Sequence, residues 1–381
     1  MHYGLYLLFK TYQAMKIKYV LCALVLGTLN TMAQDDKKEE TTLLGVLVPT
    51  PTVTPQEKIN NVEVFLDTKY ENLTKTSGAG TSDSKFRLVQ SRVYLKGNYN
   101  NKLTYSLRYR LNESTASNAL EFAFLEYNID EHWTVGMGKQ FTAWGSTELS
   151  YNGADLYMFT NIISSIELFS PGASVAYKVK GQSFKLQMVS QGEQFSAEAY
   201  KNKAYGGLFL WEGELFKKHL KTRYGYALFQ HDAKKYYSWI TIGNRLTINN
   251  FMAEFDWMYG FRNVADAAFT DLNTVTKGVA YVKDNVTTAS IKYKFNKITP
   301  YVKVMYNYRN DLDNAVSYGL KGISTAVEYN PFNEAAFKNL RLFAAYNYLN
   351  YDYKNYTVAK SDRNEHQIAL GVRWMVPLFK L

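Results

Sequence analysis

The sequence has 381 residues and a formal net charge of +10 at pH 7, and it contains 32 tyrosines and 22 phenylalanines but only one cysteine. Its mean hydropathy of -0.30 is too low for a bundle of membrane helices, each of which needs about 20 consecutive apolar residues. The balance suits a membrane β-barrel instead, because only every second strand residue of such a barrel faces lipid.

The N-terminus has the three parts of a secretory signal. Lys16 and Lys18 precede an apolar run over 19–29, and Ala33 precedes polar and charged sequence. We therefore predict that residues 1–33 form a signal peptide that is cleaved after Ala33. A single anchoring helix is the alternative, but the apolar run is shorter than the roughly 20 residues that a membrane span requires.

Cleavage at this position has consequences for the mature chain. Cys22 is the sole cysteine and lies within the signal, so disulfides and cysteine metal sites are excluded from the mature protein. Residues 34–61 are rich in proline and threonine, which predicts an extended periplasmic segment. We assign the remainder, 62–381, to the barrel.

Beyond residue 61 the dominant pattern has a period of two, which is typical of strands with one apolar face. In 103–111 the odd positions are Leu or Tyr and the even positions are Thr, Ser or Arg, and 251–262 alternates in the same way. This predicts an all-β fold, a transmembrane antiparallel β-barrel of about 16 strands. The predicted strands are 62–72, 86–96, 103–112, 119–128, 133–140, 172–180, 183–191, 204–216, 222–230, 236–247, 251–262, 286–295, 298–309, 318–330, 339–350 and 364–375.

The predicted connections are sorted by length. Those after even-numbered strands are mostly short and those after odd-numbered strands are mostly longer, with 231–235 as a short exception. Membrane barrels alternate short periplasmic turns with long outer loops in this way. An even number of strands also places both ends of the barrel in the periplasm.

The longest predicted connection, 141–171, follows the fifth strand and combines aromatic with acidic residues. We interpret it as a loop that folds into the lumen and narrows it, and a disordered surface loop is the alternative. The candidates for the constriction are Trp144, Glu148, Tyr151, Asp155, Tyr157 and Glu167.

About sixteen strands enclose a lumen too wide for side chains to fill, so an aqueous channel remains. The pore-lining candidates are Arg92, Lys96, Arg108, Arg110, Glu126, Glu254, Asp256, Lys292, Lys294, Lys303, Arg309 and Arg373. The basic members outnumber the acidic ones, and a positive lumen attracts anions. The alternative is that these charges pair with one another. Arg108 and Arg110 lie two residues apart on one strand and are the best candidates for a basic patch on the pore wall.

The segment Thr134–Gly145 reads TVGMGKQFTAWG and resembles the strand-end signature of the phosphate-selective porin O and P family, as it occurs in Bacteroidetes-type members. Ala143 departs from that signature, in which proline is usual at this position. The segments 87–109, 122–129 and 170–179 are also similar to the family. The resemblance implies a barrel of sixteen strands, passive diffusion of small solutes and, in many members, a homotrimer.

These observations favour a passive porin of the Gram-negative outer membrane that admits small hydrophilic solutes and ions, with a preference for anions such as phosphate as the narrower hypothesis. A substrate-specific uptake channel and a structural barrel with a closed lumen are the alternatives. The expected partners are outer-membrane lipid and lipopolysaccharide, the solutes themselves and further copies of the chain. We expect no cofactor, and the spread of basic residues over exported strands disfavours nucleic acid.

An outer-membrane hydrolase is the enzymatic alternative, in which the pair His231–Asp232 or the pair Glu365–His366 would supply a base. Neither pair has a recognisable nucleophile motif nearby, and we therefore expect no enzyme. The histidine spacing does not match a metal motif. Residues 311–314 lack the glycine and glutamate of a calcium loop, so we expect no metal there.

Overall fold

The structure, a computed structural model, describes residues 59–77, 82–163, 166–190, 205–232, 235–264, 280–312, 316–334, 337, 339–355 and 363–380. The predicted signal peptide and residues 34–58 lie outside the described residues. The strands are β1 (Ile59–Ser77), β2 (Ser82–Tyr99), β3 (Leu103–Arg110), β4 (Leu120–Asn128), β5 (Trp133–Phe141), β6 (Phe169–Val179), β7 (Gln182–Ser190), β8 (Tyr205–Leu215), β9 (Leu220–Asp232), β10 (Lys235–Ile248), β11 (Phe251–Val264), β12 (Ala280–Tyr293), β13 (Ile298–Asp311), β14 (Ser317–Tyr329), β15 (Leu340–Lys354) and β16 (Arg363–Lys380).

Each predicted strand overlaps one observed strand. β1 begins at Ile59, three residues before the predicted start of the barrel. Among the strand starts, that of β12 differs most from the prediction. The strand begins at Ala280, whereas the predicted strand begins at residue 286. Lys283 and Asn285 occupy positions in this stretch where the alternation would place apolar side chains, so the apolar pattern is interrupted there.

The sixteen strands form one closed sheet in which each strand is antiparallel to the next and β1 pairs with β16. The seam is in register over most of its length, with Asp67 opposite Met375 and Lys69 opposite Arg373. Closure pairs the backbone groups of every strand with a neighbour, which the absence of water in a bilayer requires. The prediction of a sixteen-stranded antiparallel barrel is confirmed.

The two faces of the sheet differ in chemistry. In β13 the outward side chains of Val302, Val304 and Tyr306 are exposed, whereas Lys303 and Met305 between them are buried. β14 alternates in the same way from Leu320 to its end. Apolar side chains that are exposed in the absence of lipid form the surface that lipid covers, and the polar alternates face the lumen.

The two rims of the barrel are distinguished by their connections. The turns at 100–102, 129–132, 180–181, 216–219, 249–250 and 294–297 are short, and we place this rim in the periplasm. Asn249 has a φ of 51°, a left-handed conformation that asparagine tolerates in tight hairpins. The segment 330–339 is a longer connection on the same rim. The extracellular rim carries the longest connections, at 142–168, 191–204 and 265–279.

The wall of the barrel is uneven in height. The strands from β3 to β8, which we call the short wall, have 8 to 11 residues. The remaining strands have 13 to 19 residues. The four-residue helix α1 (Ala116–Ala119) precedes β4. Across the part of the chain that the structure describes, no helix is long and apolar enough to cross a membrane.

Candidate functional site

The segment 142–168, which we call the lumen loop, connects β5 to β6 across the interior of the barrel. It contains two short 3-10 turns, Glu148–Ser150 and Gly153–Asp155. Its residues form hydrogen bonds with strands on distant parts of the wall. The structure therefore places this loop inside the barrel, where its mixed aromatic and acidic composition predicts it to lie.

The loop enters the lumen over a glycine-lined part of the wall. The backbone N–H of Gly145 donates to Oγ1 of Thr241 at 2.8 Å. A Cβ atom on Gly225 would lie 2.4 Å from the nitrogen of Gly145, and one on Gly243 would lie 2.3 Å from the nitrogen of Thr147. The two glycines therefore let the backbone of the loop rest directly against β9 and β10.

The next residues of the loop are fixed to β11 by a buried carboxylate. Asp256 accepts hydrogen bonds from the Thr147 N–H at 2.5 Å and from the Thr147 hydroxyl at 2.6 Å. Glu148 forms an ion pair with Lys303 at 3.0 Å, and both side chains are about 3% exposed. Lys303 also donates to the carbonyl oxygen of Met158 at 3.0 Å, so it ties two parts of the loop to β13.

Tyr151 connects the loop to a second charged cluster on the wall. Its hydroxyl donates to Oε1 of Glu254 at 2.6 Å, and Glu254 also forms an ion pair with Arg245 at 2.5 Å. The ammonium group of Lys292 lies 5.7 Å from the centre of the Tyr151 ring and 5.0 Å from that of Tyr301. Three of the predicted site residues, Glu254, Lys292 and Tyr151, therefore meet at one place.

The second 3-10 turn crosses to the seam of the barrel. Asn152 donates to Asp67 at 2.6 Å, and Asp155 forms ion pairs with Arg373 and, at 2.9 Å, with Arg341. Burial acts to raise the pKa of Asp155, but the guanidinium groups of Arg373 and Arg341 hold it below its ordinary value. The loop thus carries a charged carboxylate onto β15 and β16.

The loop returns along β13, β14 and β15. The Tyr157 hydroxyl donates to Glu328 at 2.8 Å, and Asn347 donates to the carbonyl oxygen of Tyr157 at 2.7 Å. Asn161 donates to the hydroxyl of Tyr318 at 2.7 Å. These bonds complete a path in which the loop touches both sides of the lumen.

Trp144 and Glu167 were predicted to lie at a constriction, but the structure places them elsewhere. Trp144 is only 3% exposed, and its ring packs against Phe229 and Trp239 at centroid distances of 5.2 and 6.1 Å. Its indole N–H donates to the carbonyl oxygen of Glu167 at 3.0 Å. Trp144 therefore joins the two ends of the loop within an apolar cluster, away from water.

Arg108 and Arg110 face inward, but they do not form an exposed basic patch. Arg108 is 4% exposed and pairs with Glu121 at 2.5 Å, and Arg92 pairs with the same carboxylate at 2.7 Å. Arg110 is half-buried opposite Arg92. The prediction that Arg108 contributes to a basic patch on the water-facing wall is corrected, because Glu121 and nearby rings enclose its charge.

The other pore-lining candidates also face inward, and most are paired. Arg309 pairs with Asp284 at 2.6 Å, and both side chains are buried. Lys96 pairs with Glu63 at 2.7 Å near the periplasmic rim, and Glu126 lies 3.9 Å from Lys185. Lys294 is exposed just beyond the end of β12, on the same rim. Most of these charges are therefore paired with one another, which was the alternative to a positively charged lumen.

A cavity of about 630 Å³ lies between the lumen loop and the periplasmic turns. Thr147 and Ser150 of the loop form one side of it, and Lys178, Arg223 and Arg245 lie among the residues on the other sides. Arg223 and Arg245 were not among the predicted site residues. The alternation does point to them, because both occupy inward positions on strands that were predicted.

The acid–histidine pair on β16 does not form a catalytic arrangement. Glu365 and His366 are adjacent in one strand, so their side chains point to opposite faces of the sheet. His366 is on the outward face, with Nδ1 2.8 Å from the hydroxyl of Tyr346. Glu365 faces inward, 3.5 Å from Lys75. The side chains of His231 and Asp232 lie outside the described residues, and the described part of the chain holds no cluster of metal-binding side chains.

The model of the family described as phosphate-selective porin O and P matches residues 66–212. No curated protein sequence matches the chain. Among solved structures, OmpT of Vibrio cholerae in its trimer form is similar, with a TM-score of 0.55, 15% identity, and coverage of 82% of this chain and 99% of that chain. The anion-selective porin from Comamonas acidovorans has a TM-score of 0.57 and 12% identity over 83% of this chain and 100% of that chain. OmpF of Salmonella typhi in complex with daunomycin has a TM-score of 0.56 and 15% identity over 84% of this chain and 100% of that chain.

At these identities the solved structures establish the fold, and the family match supplies the sequence relationship. The matched residues include the motif Thr134–Gly145, which carries the resemblance described above, and the whole of the lumen loop. The chain therefore has the fold of an outer-membrane porin barrel, and its residues 66–212 match the phosphate-selective porin O and P family.

Proposed function

We propose that the protein is a passive diffusion porin whose limiting width is set by the lumen loop. One observation carries this proposal. The loop is held on well-separated parts of the wall, by Asp256 on β11 and by Arg373 and Asp67 on β16 and β1, which are five and six strands away. It crosses a barrel with a polar inward face and an apolar outward face, which is the arrangement of a loop-narrowed aqueous pore.

The test is liposome swelling with neutral sugars of increasing size. A passive pore takes up small sugars fastest and larger ones progressively more slowly. Uptake of a single solute class regardless of size would replace the proposal with a substrate-specific channel, and no uptake at all would indicate a closed barrel. The variant Asp155→Ala frees the loop from Arg341 and Arg373 and should admit larger sugars. Asp83→Ala, which breaks an exposed ion pair with Lys85, is the matched control.

We infer further that the periplasmic end of the pathway prefers anions. The cavity beneath the loop is lined by five basic residues, Lys178, Lys180, Lys221, Arg223 and Arg245, and by three acidic ones, Glu131, Glu212 and Glu214. Arg223 pairs with Glu212, Lys221 with Glu214 and Arg245 with Glu254, so that Lys178 and Lys180, together with Glu131, are the remaining charged residues of a lining whose net charge is +2. One of the similar structures is the anion-selective porin from Comamonas acidovorans, which supports this inference.

The double variant Lys178→Gln/Lys180→Gln should lower the anion-to-cation permeability ratio, because it removes the excess positive charge from the mouth of the pathway. Reversal potentials in planar bilayers under a salt gradient measure this ratio. The control is Lys102→Gln on a neighbouring turn. A ratio that is unchanged in the double variant would contradict the anion preference.

We also propose that the short wall is covered by further copies of the chain in a homotrimer. Strands of eight or nine residues, tilted by about 45°, rise by about 20 Å and do not reach across an apolar band about 25 Å tall. The outward side chains of Leu125 and Met137 on these strands are apolar and exposed. OmpT, which has the same fold, is recorded in a trimer form.

The substitution Met137→Arg should dissociate this assembly, because it places a charge in the proposed interface. Val304→Arg places the same charge on an exposed apolar position of β13 and is the matched control. Mass measurement in detergent distinguishes the two variants. A monomeric wild type, or equal dissociation by both variants, would contradict a trimer built on the short wall.

A further inference from the structure

The outward face of β9–β16 is almost free of charge. Among its described side chains the charged ones are Lys283, Lys321, Asp352 and Lys354. Asp352 and Lys354 belong to the last three residues of β15, at the extracellular rim. Lys283 and Lys321 lie farther into the sheet, on β12 and β14. A lysine on a surface that faces lipid is destabilising, so the presence of these two requires a physical explanation.

The height of each lysine above the periplasmic end of the apolar band follows from its position in its strand. Lys283 precedes the periplasmic-side residue Tyr293 by ten positions in β12, and Lys321 precedes Tyr329 by eight positions in β14. At about 3.3 Å per residue and a tilt near 40–45°, these intervals correspond to rises of about 24 and about 19 Å. An apolar band about 25 Å tall therefore ends near Lys283, and the side chain of Lys321 reaches the same boundary by extending upward.

The neighbours of the two lysines are polar and aromatic. The ammonium group of Lys283 is 5.5 Å from the centre of the Tyr259 ring, and its partner on β13 is Asn310. Lys321 is exposed and lies between Tyr306 on β13 and Asn350 on β15. Neither ammonium has a carboxylate within 4.0 Å in the described part of the chain. The nearest acid in the register is Asp352, which is opposite Gly319 and one outward position from Lys321.

We propose that Lys283 and Lys321, which lie four register positions apart across β12–β14, form a basic patch for the phosphate groups of an outer-leaflet glycolipid. A lysine on the lipid face is costly in hydrocarbon and close to neutral at the interface, where an anionic headgroup compensates its charge. Asn310 is the register partner of Lys283, and Tyr306 and Asn350 are those of Lys321, so hydroxyl and amide side chains occur at the positions opposite both lysines. The ligand is borne by a lipid because both lysines lie on the side of the sheet that lipid, rather than the aqueous lumen, covers. This inference rests on the outer-membrane location of the barrel and not on its pore activity.

The experiment compares the full-length mature protein with the double variant Lys283→Gln/Lys321→Gln. Phosphorylated lipid A, enzymatically dephosphorylated lipid A and inorganic phosphate are titrated separately against the protein in detergent. Binding is read from the thermal unfolding midpoint and by native mass spectrometry. The control is Lys102→Gln/Lys217→Gln, which removes two exposed lysines from the periplasmic turns. Conductance of both variants, measured separately, shows whether the pore itself is intact.

Phosphorylated lipid A should bind to the wild type and to the control with equal affinity, and about 30-fold more weakly to the double variant, from two lysine–phosphate contacts near the membrane surface. Equal affinity for the double variant would overturn the proposal. Equally tight binding of dephosphorylated lipid A would also overturn it, since the phosphate would then contribute nothing. Saturation of the site by inorganic phosphate at similar concentrations would identify a free-anion site instead.

Discussion

At the scale of single residues, Arg108 shows how a charge is held inside the wall of the barrel. Its guanidinium group lies 4.6, 5.2 and 4.8 Å from the ring centres of Phe122, Phe141 and Phe169, and it pairs with Glu121 at 2.5 Å. A cation enclosed by rings and a carboxylate stabilises its surroundings, and its field in the lumen is largely cancelled.

Replacing Arg108 by serine should therefore reduce the free energy of unfolding by about 2–4 kcal/mol and leave ion selectivity unchanged. Denaturant titration in detergent measures the first quantity, and reversal potentials measure the second. Lys85→Ser, which removes an exposed partner of Asp83, should change stability by less than about 1 kcal/mol. A clear shift in reversal potential for the Arg108 variant would restore this residue to the water-facing wall.

The direction of Arg108 could be predicted from the sequence, but its burial could not. Direction depends on the alternation of neighbouring residues, which is a local property. Burial depends on Phe141 and Phe169, which come from two other strands, and on Glu121, which lies where the pairing of β3 with β4 shifts by one residue. A register shift of this kind inverts the phase of the alternation, but residues 122–125 are all apolar, so the sequence shows no phase at this point.

At the scale of elements, the lumen loop docks against glycines of the barrel wall, which have no side chain to hold the loop away. A Cβ atom on Gly243 would lie 2.3 Å from the nitrogen of Thr147 and 2.5 Å from Oδ1 of Asp256. Valine at this position must displace the loop from its anchor. Gly207 on β8 provides a matched control, because nothing lies within 4 Å of a Cβ atom there.

The variant Gly243→Val should therefore show a loosened loop, with noisier and higher single-channel conductance and faster cleavage by chymotrypsin between residues 151 and 159. Gly207→Val adds the same side chain to an open position and should match the wild type in both measurements. If the two variants behaved alike, the glycine contact would have no part in docking the loop.

The strands were predicted well because each strand carries its own alternation, whereas the docking of the loop joins residues far apart in the chain. Thr147 and Asp256 are separated by 109 positions, and Asp155 and Arg373 by 218. The sequence does carry one local signal of this docking. Gly225 and Gly243 occupy inward positions of strands whose other inward residues have side chains, which marks a close approach of another part of the backbone.

At the scale of the whole molecule, closure depends on the seam between β1 and β16. The last part of β16 pairs Met375 with Asp67, Val376 with Leu66 and Phe379 with Val64. Lys380 adds an ion pair with Glu63 at 3.1 Å. Without these pairs the periplasmic end of β1 would expose unpaired backbone groups to lipid, which costs several kcal/mol for each group.

Removal of residues 375–381 should therefore prevent stable closure even though most of the sheet is unchanged. Refolding into detergent micelles without any assembly machinery, followed by gel electrophoresis with and without heating, detects the compact barrel by its faster migration. Two point variants separate backbone pairing from side-chain identity. Phe379→Ala and Lys380→Gln keep the strand at full length and should both refold, since their backbones still pair with β1. If Phe379→Ala failed as completely as the truncation, the aromatic side chain rather than the length of the seam would determine closure.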